Sequence, residues 1–114
     1  MRLCSLLTSF VTYANSQSHL EPLFPRFERT VCFVFQDECY SLKIARNGIE
    51  LIEGSAGANQ ITFVYEDSLF LLLSGKVKLQ SLIKAKSVTY RGTYRTMLLL
   101  ESIFHMCKPM KVGA

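Results

Sequence analysis

The dipeptide Asn47-Gly48 constrains the fold of this chain more than any other short feature of its sequence. It separates YSLKIAR, in which apolar residues alternate with polar or small ones, from the stretch IELIE. This alternation predicts strands with one buried face, and Asn-Gly between them favours a hairpin with a type I′ turn, which requires positive φ at both central positions. The preceding stretch RTVCFVFQ is typical of a strand and is followed by a turn at Asp37-Glu38. The sequence therefore predicts a three-strand antiparallel meander over residues 29–53.

A helix is predicted for residues 1–15, before the meander. Its apolar residues recur at steps of three and four and are Leu3, Leu6, Leu7, Phe10, Val11 and Ala14. The segment also imitates a secretory signal, with Arg2, a mildly apolar stretch and a conceivable cleavage site at Thr12-Tyr13-Ala14. A signal core does not require a polar face, whereas this segment has one. We therefore expect an amphipathic helix, followed by a loop that contains Pro22 and Pro25.

Residues 61–107 are predicted to add two strands and three helices. The segment GSAGANQ predicts a flexible crossover that leads to a fourth strand, ITFVYE. A short helix follows, with Asp67 or Glu66 as its N-cap, and Gly75 ends it in a left-handed conformation.

A second short helix is predicted for residues 79–85, and SVTYR reads as a fifth strand. Gly92 ends that strand, Thr93 caps the next element, and YRTMLLLESIFHMC predicts a final helix that is apolar around most of its circumference. We therefore expect a single α+β domain over residues 1–114. Its five-stranded, mostly antiparallel sheet is expected to be covered by helices on one face.

The composition of the 114-residue chain is rich in apolar residues for its size. Apolar residues make up 49% of it and charged residues 19%, below the usual quarter. The surplus must enter a large core, an oligomer interface or an internal cavity that holds an apolar ligand. The longest apolar run is far shorter than the roughly 18 residues that a transmembrane helix requires, which excludes a membrane span.

Motifs of several common kinds of active site are absent from the sequence. It has no GxGxxG, Walker lysine or GxSxG, and neither His19 nor His105 lies in a recognisable catalytic motif. The four cysteines are Cys4, Cys32, Cys39 and Cys107. They form no CxxC pair, which disfavours a metal site. We therefore expect no enzyme activity, metal or cofactor, and we interpret the cysteines as reduced thiols of a cytoplasmic protein.

No acidic residue lies between Asp67 and Glu101, although six basic ones do. These are Lys76, Lys78, Lys84, Lys86, Arg91 and Arg95. Such a surface attracts the phosphates of nucleic acids or anionic lipid headgroups, and the alternative is a solvated face without a partner. A helix-turn-helix is disfavoured, because Leu79, Leu82 and Ile83 leave few polar side chains on the second short helix to contact base edges.

The order of these elements resembles the layout of the sterol carrier protein type domain. In that family a strand is followed by an acid, a short Leu-rich helix ending in Gly-Lys, a second short helix, and a strand closed by Gly before the terminal helix. The matching residues are Ile61 to Tyr65, Asp67, SLFLLLSGK, LQSLIKA, SVTYRG and the terminal apolar helix. One departure is Ala85-Lys86, which stands where the family usually has a small residue and Gly. The resemblance covers most of the chain, and its motifs lie in residues 61–104.

The resemblance implies a non-enzymatic lipid carrier, in which sheet and helices enclose an apolar tunnel for a fatty acyl chain, a sterol or another lipid. The residues expected to line this tunnel are Phe33, Phe35, Phe63, Tyr65, Leu72, Leu82, Ile83, Met97, Leu100, Ile103 and Phe104. Peripheral contact with an anionic membrane is expected to use Lys76, Lys78, Lys84, Lys86 and Arg91. The alternative is a module that forms homodimers without a ligand through its apolar last helix, and nucleic acid is the least favoured partner.

Overall fold

The computed structural model describes residues 2–55 and 57–107, and it contains the predicted elements in the predicted order. Met1, Ala56 and residues 108–114, which the predicted domain of residues 1–114 includes, lie outside the described residues. The helices are α1 (Arg2–Asn15), α2 (Glu66–Leu73), α3 (Leu79–Lys84) and α4 (Tyr94–Met106), and a 3₁₀ helix spans Ser18–Leu23. The strands are β1 (Arg29–Phe35), β2 (Glu38–Ala45), β3 (Gly48–Glu53), β4 (Asn59–Phe63) and β5 (Val88–Arg91).

The five strands form one mixed sheet in the order β3-β2-β1-β4-β5. The pair β1 and β4 is parallel, and every other neighbouring pair is antiparallel. The connection after β3 therefore crosses the sheet to place β4 beside β1, as the small, polar segment GSAGANQ predicts. Gly54 and Gly57 show its path, because the Ser41 hydroxyl donates to the Gly54 carbonyl at 2.7 Å and Gly57 lies against Thr30.

The β2–β3 hairpin forms where predicted, but its turn is not the type I′ turn that the sequence suggested. Ala45 pairs with Gly48, and positive φ falls on Gly48, at 133°, rather than on Asn47. The reason lies in α1, whose last residue, Asn15, accepts from the Ile49 amide at 2.9 Å and donates to the Ile49 carbonyl at 2.8 Å. A Cβ on residue 48 would lie 2.8 Å from the Asn15 oxygen, so glycine is required by this contact.

Two other local predictions are corrected. The β1–β2 turn uses Gln36 and Asp37, with Gln36 at a φ of 54°, one residue earlier than predicted. The N-cap of α2 is Tyr65, whose side chain makes no capping bond, while Glu66 and Asp67 lie in the first turn. There the carboxylates stabilise the helix through its positive end rather than by capping.

The helices cover one face of the sheet, as predicted, and bury its apolar side chains. Val31, Phe33 and Phe35 of β1 point to this face, and their partners in β2 and β4 continue it. The apolar stripe of α1 packs on the same layer, since Leu3, Leu7 and Phe10 are buried. None of the helices in the described part of the chain is both long enough and apolar enough to cross a bilayer.

Candidate functional site

The residues predicted to line a tunnel meet in the layer between the sheet and the helices. All of them except Tyr65 and Ile83 are buried, and they belong to one apolar cluster. Ile83 is partly buried against the same cluster. The sequence therefore identified a continuous apolar layer that joins β1 and β4 with α2, α3 and α4.

Aromatic rings form the centre of this layer. Phe33 of β1 lies 6.0 Å from Phe63 of β4 and 6.5 Å from Phe104 of α4, measured between ring centroids. The Phe104 ring also contacts Phe10 of α1 at 5.1 Å. Phe33, Phe10 and Phe104 are almost completely buried. In this conformation the rings pack against one another in the layer where a lipid chain was expected.

Sequence reasoning left several residues of this layer out of the site. They include Leu3, Leu7 and Phe10 of α1, Tyr40 and Leu42 of β2, Ile61 of β4 and Leu69 of α2. The signals were present, because the helical period of α1 and the alternation in β2 mark these faces as buried. What the local patterns do not show is which side chains of α1 contact those of α4, as Phe10 and Phe104 do.

The structure places Tyr65 outside the buried layer that contains the other predicted residues. Strand β4 ends at Phe63, so the alternation that pointed Tyr65 inward does not continue, and 60% of Tyr65 is exposed. Together with Phe35, Tyr65 lines an open depression of about 440 Å³. Its other lining residues are Gln36, Glu38, Val64, Glu66 and Asp67.

Two titratable side chains of the buried layer, those of Tyr40 and Cys107, are neutral at pH 7. Burial raises the pKa of the Tyr40 phenol, and its contact with Cys4 raises that pKa further. Burial also raises the pKa of the Cys107 thiol to about 11. Because both groups stay protonated well above neutral pH, they bring no charge into the layer.

The predicted basic residues are all exposed, but they do not share one side of the sheet. Lys76 and Lys78 lie between α2 and α3, Lys84 is the last residue of α3, and Lys86 follows it. Arg91 pairs with Gln60, one position away from the Tyr90–Ile61 pair that faces the core. Its side chain therefore points to the face of the sheet opposite the helices.

The two short helices that carry the lysines end in the same backbone motif. After α2, Gly75 has a φ of 74°, and the Lys76 amide donates to the Leu71 carbonyl at 3.1 Å. After α3, Lys86 has a φ of 60°, and the Ser87 amide donates to the Leu82 carbonyl at 3.0 Å. These are Schellman motifs, in which glycine is the usual left-handed residue. The predicted left-handed end at Gly75 is confirmed, and Lys86 keeps this geometry without glycine.

A carboxylate of α4 fixes the start of α3. Glu101 accepts from the Gln80 amide at 2.9 Å and from the Gln80 side chain at 2.7 Å. One orphan backbone amide at the N-terminus of α3 is thereby bonded to a neighbouring helix, and the Gln80 side chain adds a second hydrogen bond. No local sequence pattern indicates this contact, because the two residues are 21 positions apart.

The chemistry available at this layer is the burial of apolar groups. Within residues 2–55 and 57–107 no group of three or more His, Cys, Asp or Glu side chains is arranged to hold a metal ion. The buried polar side chains at its edge, Ser68 and Thr96, are small and uncharged. The Thr93 hydroxyl donates to the Thr96 hydroxyl at 2.8 Å and, as the predicted N-cap of α4, accepts from the Thr96 amide at 3.3 Å.

Solved structures of sterol carrier protein type domains share this fold. The chain matches a structure described as a UbiJ-SCP2 ubiquinone synthesis protein with a TM-score of 0.72 and 13% identity, over 92% of each chain. It matches sterol carrier protein 2 from Yarrowia lipolytica, in its apo form, with a TM-score of 0.60 and 16% identity. That match covers 90% of this chain and 89% of the other. The resemblance drawn from residues 61–104 is thus confirmed at the level of the fold.

A larger protein contains a similar domain. The sec-alkylsulfatase Pisa1 from Pseudomonas sp. matches 74% of this chain with a TM-score of 0.59 and 18% identity, but the match covers only 13% of that protein. No protein-family model matches the sequence, and no curated protein matches it. The likenesses therefore establish the fold alone.

Proposed function

We propose that this protein is a non-enzymatic lipid-binding module that holds a fatty acyl chain or a sterol-like molecule between its sheet and helices. The observation that carries the proposal is the neutral, apolar layer around Phe33, Phe63 and Phe104, in a fold shared with proteins named sterol carrier protein 2. The proposed lining residues are those predicted from the sequence, without Tyr65.

The physical basis of the proposed affinity is the transfer of hydrocarbon out of water. Each buried CH₂ contributes about 0.8 kcal/mol, so roughly ten carbons contribute about 8 kcal/mol before the losses of binding are subtracted. A layer without charge offers no group that would select one headgroup. We therefore expect binding to depend on chain length and bulk more than on headgroup chemistry.

Ligand entry requires that side chains in the layer move, because aromatic rings pack there in the structure. We assign this movement to residues 66–86, called here the α2–α3 segment. The left-handed residue Gly75 lies in the connection between its two short helices. Leu72 and Leu82 anchor the segment in the core, while Ile83 lies at its partly buried edge. Met97 of α4 faces the same cluster and has a flexible side chain that adapts to irregular ligands.

Lipid binding is tested by titration with a fluorescent fatty acid and by native mass spectrometry of protein purified from cells. Ile83→Trp places a large ring at the edge of the layer and should reduce fatty acid uptake. Leu98→Trp is the matched control, because Leu98 is a 39% exposed residue of α4 and should leave uptake unchanged. Wild-type protein that neither carries a lipid nor takes up the probe would rule the proposal out.

Contact with an anionic membrane is a second part of the proposal. Lys76, Lys78, Lys84 and Lys86 are exposed on or beside the helices of the α2–α3 segment. Each basic residue near an anionic bilayer contributes about 1 kcal/mol of attraction. A ligand that leaves the layer beneath this segment would therefore pass into the bilayer next to these lysines of the protein.

The membrane contact is tested with vesicles that contain phosphatidylserine. Lys84→Gln combined with Lys86→Gln should weaken binding about tenfold or more, since two charges are lost. Arg26→Gln combined with Arg46→Gln removes the same charge from exposed positions outside the α2–α3 segment and serves as the control. Equal losses for the two double variants would show that only net charge matters and would contradict a binding side at α2–α3.

A homodimer without a ligand is the second candidate function. Its support is the exposure of apolar side chains on α4, where Leu98 is 39% and Tyr94 is 61% exposed, one helical turn apart. Sedimentation velocity at micromolar concentration separates the two candidates. A monomer that takes up fatty acid supports the carrier, and a dimer that takes up none supports the interaction module.

A further inference from the structure

Two cysteines lie in contact on the face of the sheet opposite the helices. Cys32 of β1 stands opposite Ser41, and Cys39 of β2 stands opposite Val34 in the antiparallel register. Their side chains point to the same face as diagonal neighbours of adjacent strands. The two Sγ atoms are 2.8 Å apart, although neither belongs to a disulfide.

The crossover after β3 runs close to this pair, and the two thiols differ in exposure. Its Gly54 accepts from the Ser41 hydroxyl at 2.7 Å, and the Gly54 amide donates to the Cys39 carbonyl at 3.0 Å. Only 1% of Cys32 is exposed, whereas Cys39 is partly exposed. A small reagent from solvent should therefore react with Cys39 before it reacts with the buried Cys32.

We propose that Cys32 and Cys39 form a dithiol site that a peroxide converts into a cross-strand disulfide. The distance between the sulfurs needs to fall from 2.8 Å only to the length of about 2.05 Å that an S–S bond has. In contrast, Cys4 contacts the Thr8 hydroxyl, and within residues 2–55 and 57–107 neither Cys4 nor Cys107 forms a hydrogen bond with another thiol.

The reaction balances with hydrogen peroxide as the oxidant. The Cys39 thiolate attacks one peroxide oxygen, the O–O bond breaks, and Cys39 sulfenic acid and hydroxide form. The Cys32 sulfur then attacks the Cys39 sulfur, the S–O bond breaks, and the disulfide forms as water leaves. In sum, the two thiols lose two protons and two electrons, and one hydrogen peroxide molecule takes them up to become two waters.

The surroundings of Cys39 set the pH dependence of this reaction. Burial raises the pKa of the Cys39 thiol to about 11, and the neighbouring Cys32 contributes to the rise. Because the thiolate is the nucleophile, the oxidation rate should increase about tenfold for each pH unit between 7 and 10. The oxidation of the pair is therefore expected to be slow at neutral pH and faster in alkaline solution.

The modification is independent of the proposed lipid function, because the pair lies on the other side of the sheet from the apolar layer. Phe33 and Tyr40, which pair with each other between the two cysteines, point to the covered face. Disulfide formation should therefore leave fatty acid uptake unchanged. Absence of fatty acid uptake in the reduced wild-type protein would contradict the proposed carrier function, but it would not affect the proposed dithiol site.

The test is oxidation of the reduced, purified protein with hydrogen peroxide at pH 9, followed by alkylation, intact mass measurement and peptide mapping without reductant. Wild-type protein should lose two alkylatable thiols and two hydrogen atoms in mass, with Cys32 and Cys39 peptides linked. The control Cys4→Ser should behave like wild type. Cys32→Ser and Cys39→Ser, checked for folding by circular dichroism, should form no intramolecular disulfide.

Several outcomes would overturn the site. A disulfide that involves Cys4 or Cys107, a covalent dimer, or stepwise oxidation of Cys39 without linkage would each do so. Because peptide mapping is performed on wild-type protein, the result does not depend on whether the variants fold. Reduction of the linked form by dithiothreitol should restore both thiols, which distinguishes the disulfide from irreversible oxidation.

Discussion

The two faces of the sheet differ in what they bury, and neighbouring residues of β1 show the difference. Phe33 is completely buried under the helices and contacts two other aromatic rings. Val34 points to the other face and is only partly buried. Cys32, also on that face, is buried and contacts the Cys39 thiol instead of an aromatic ring.

This difference separates two kinds of chemistry within one sheet. The covered face has an apolar layer of packed side chains beneath four α-helices. The opposite face has small polar groups and thiols, among them Ser41, Thr62 and the Cys32–Cys39 pair. A change on one face should therefore leave the chemistry of the other almost unaffected, and each prediction below tests that separation.

The largest effect is expected for removal of an aromatic ring from the covered face. Phe33→Ala should lower the free energy of unfolding by about 3–5 kcal/mol, because it deletes a buried ring and leaves a cavity. Val34→Ala, at the next position of the same strand, should lower it by about 1 kcal/mol or less. Urea denaturation followed by circular dichroism measures both. Similar losses for the two variants would show that the opposite face is packed as tightly as the covered one.

The second largest change in stability is expected on the face of the sheet opposite the helices. Linking Cys32 to Cys39 closes a short loop between adjacent strands, and the loss of chain entropy in the unfolded state predicts a stabilisation of about 2.5 kcal/mol. Urea denaturation of oxidised and reduced protein at equal pH measures this gain. The oxidised Cys4→Ser variant should show the same increase, and a lower stability after oxidation would mean that the linkage distorts β1 and β2.

Most of the fold was accessible from the sequence because its signals are local. Alternation in β2, the helical period of α1 and the glycine after α2 each depend on a few neighbouring residues, and all three elements form as predicted. The turn between β2 and β3 differs because Asn15, more than 30 positions away, holds the Ile49 backbone. A contact of that separation leaves no mark in the local sequence.

The candidate site was predictable in part for the same reason. Burial follows from periodicity, so the layer around Phe33, Phe63 and Phe104 could be named. Tyr65 was misplaced because a strand end decides its direction, and Phe10 was omitted because its position depends on tertiary packing. The thiol pair required the register of β1 against β2, which the sequence pattern alone does not specify.

A smaller effect should distinguish the two faces at the start of β4. Asn59 lies on the covered side, accepts from the Thr93 amide at 3.0 Å and donates to the Thr30 carbonyl at 3.2 Å. Asn59→Ala should cost about 2 kcal/mol, because the first amide of the α4 cap loses its acceptor. Gln60→Ala, its neighbour on the opposite face, should cost less than about 0.5 kcal/mol. Thermal denaturation measures the loss of stability in the two variants, and equal losses would contradict a structural role for Asn59.

The smallest effect concerns the ends of the two short helices that close the covered face. Gly75 and Lys86 occupy equivalent left-handed positions, at φ values of 74° and 60°. Because a side chain in this conformation costs about 1 kcal/mol, Gly75→Ala should destabilise the protein by about that amount. Lys86→Gly should stabilise it by up to about 1 kcal/mol, reduced by the greater freedom of glycine in the unfolded chain.

A charge-matched control separates backbone geometry from electrostatics in this last comparison. Lys84→Gly removes the same charge from the last residue of α3, where the backbone is still helical and glycine should destabilise the helix by up to about 1 kcal/mol. Opposite signs for the changes at Lys84 and Lys86, measured by urea denaturation, would assign the effect to the left-handed backbone. Destabilisation by Lys86→Gly would instead mean that the lysine side chain itself helps to hold α3 against the sheet, and that the cover of the apolar layer depends on more than the geometry of its helix ends.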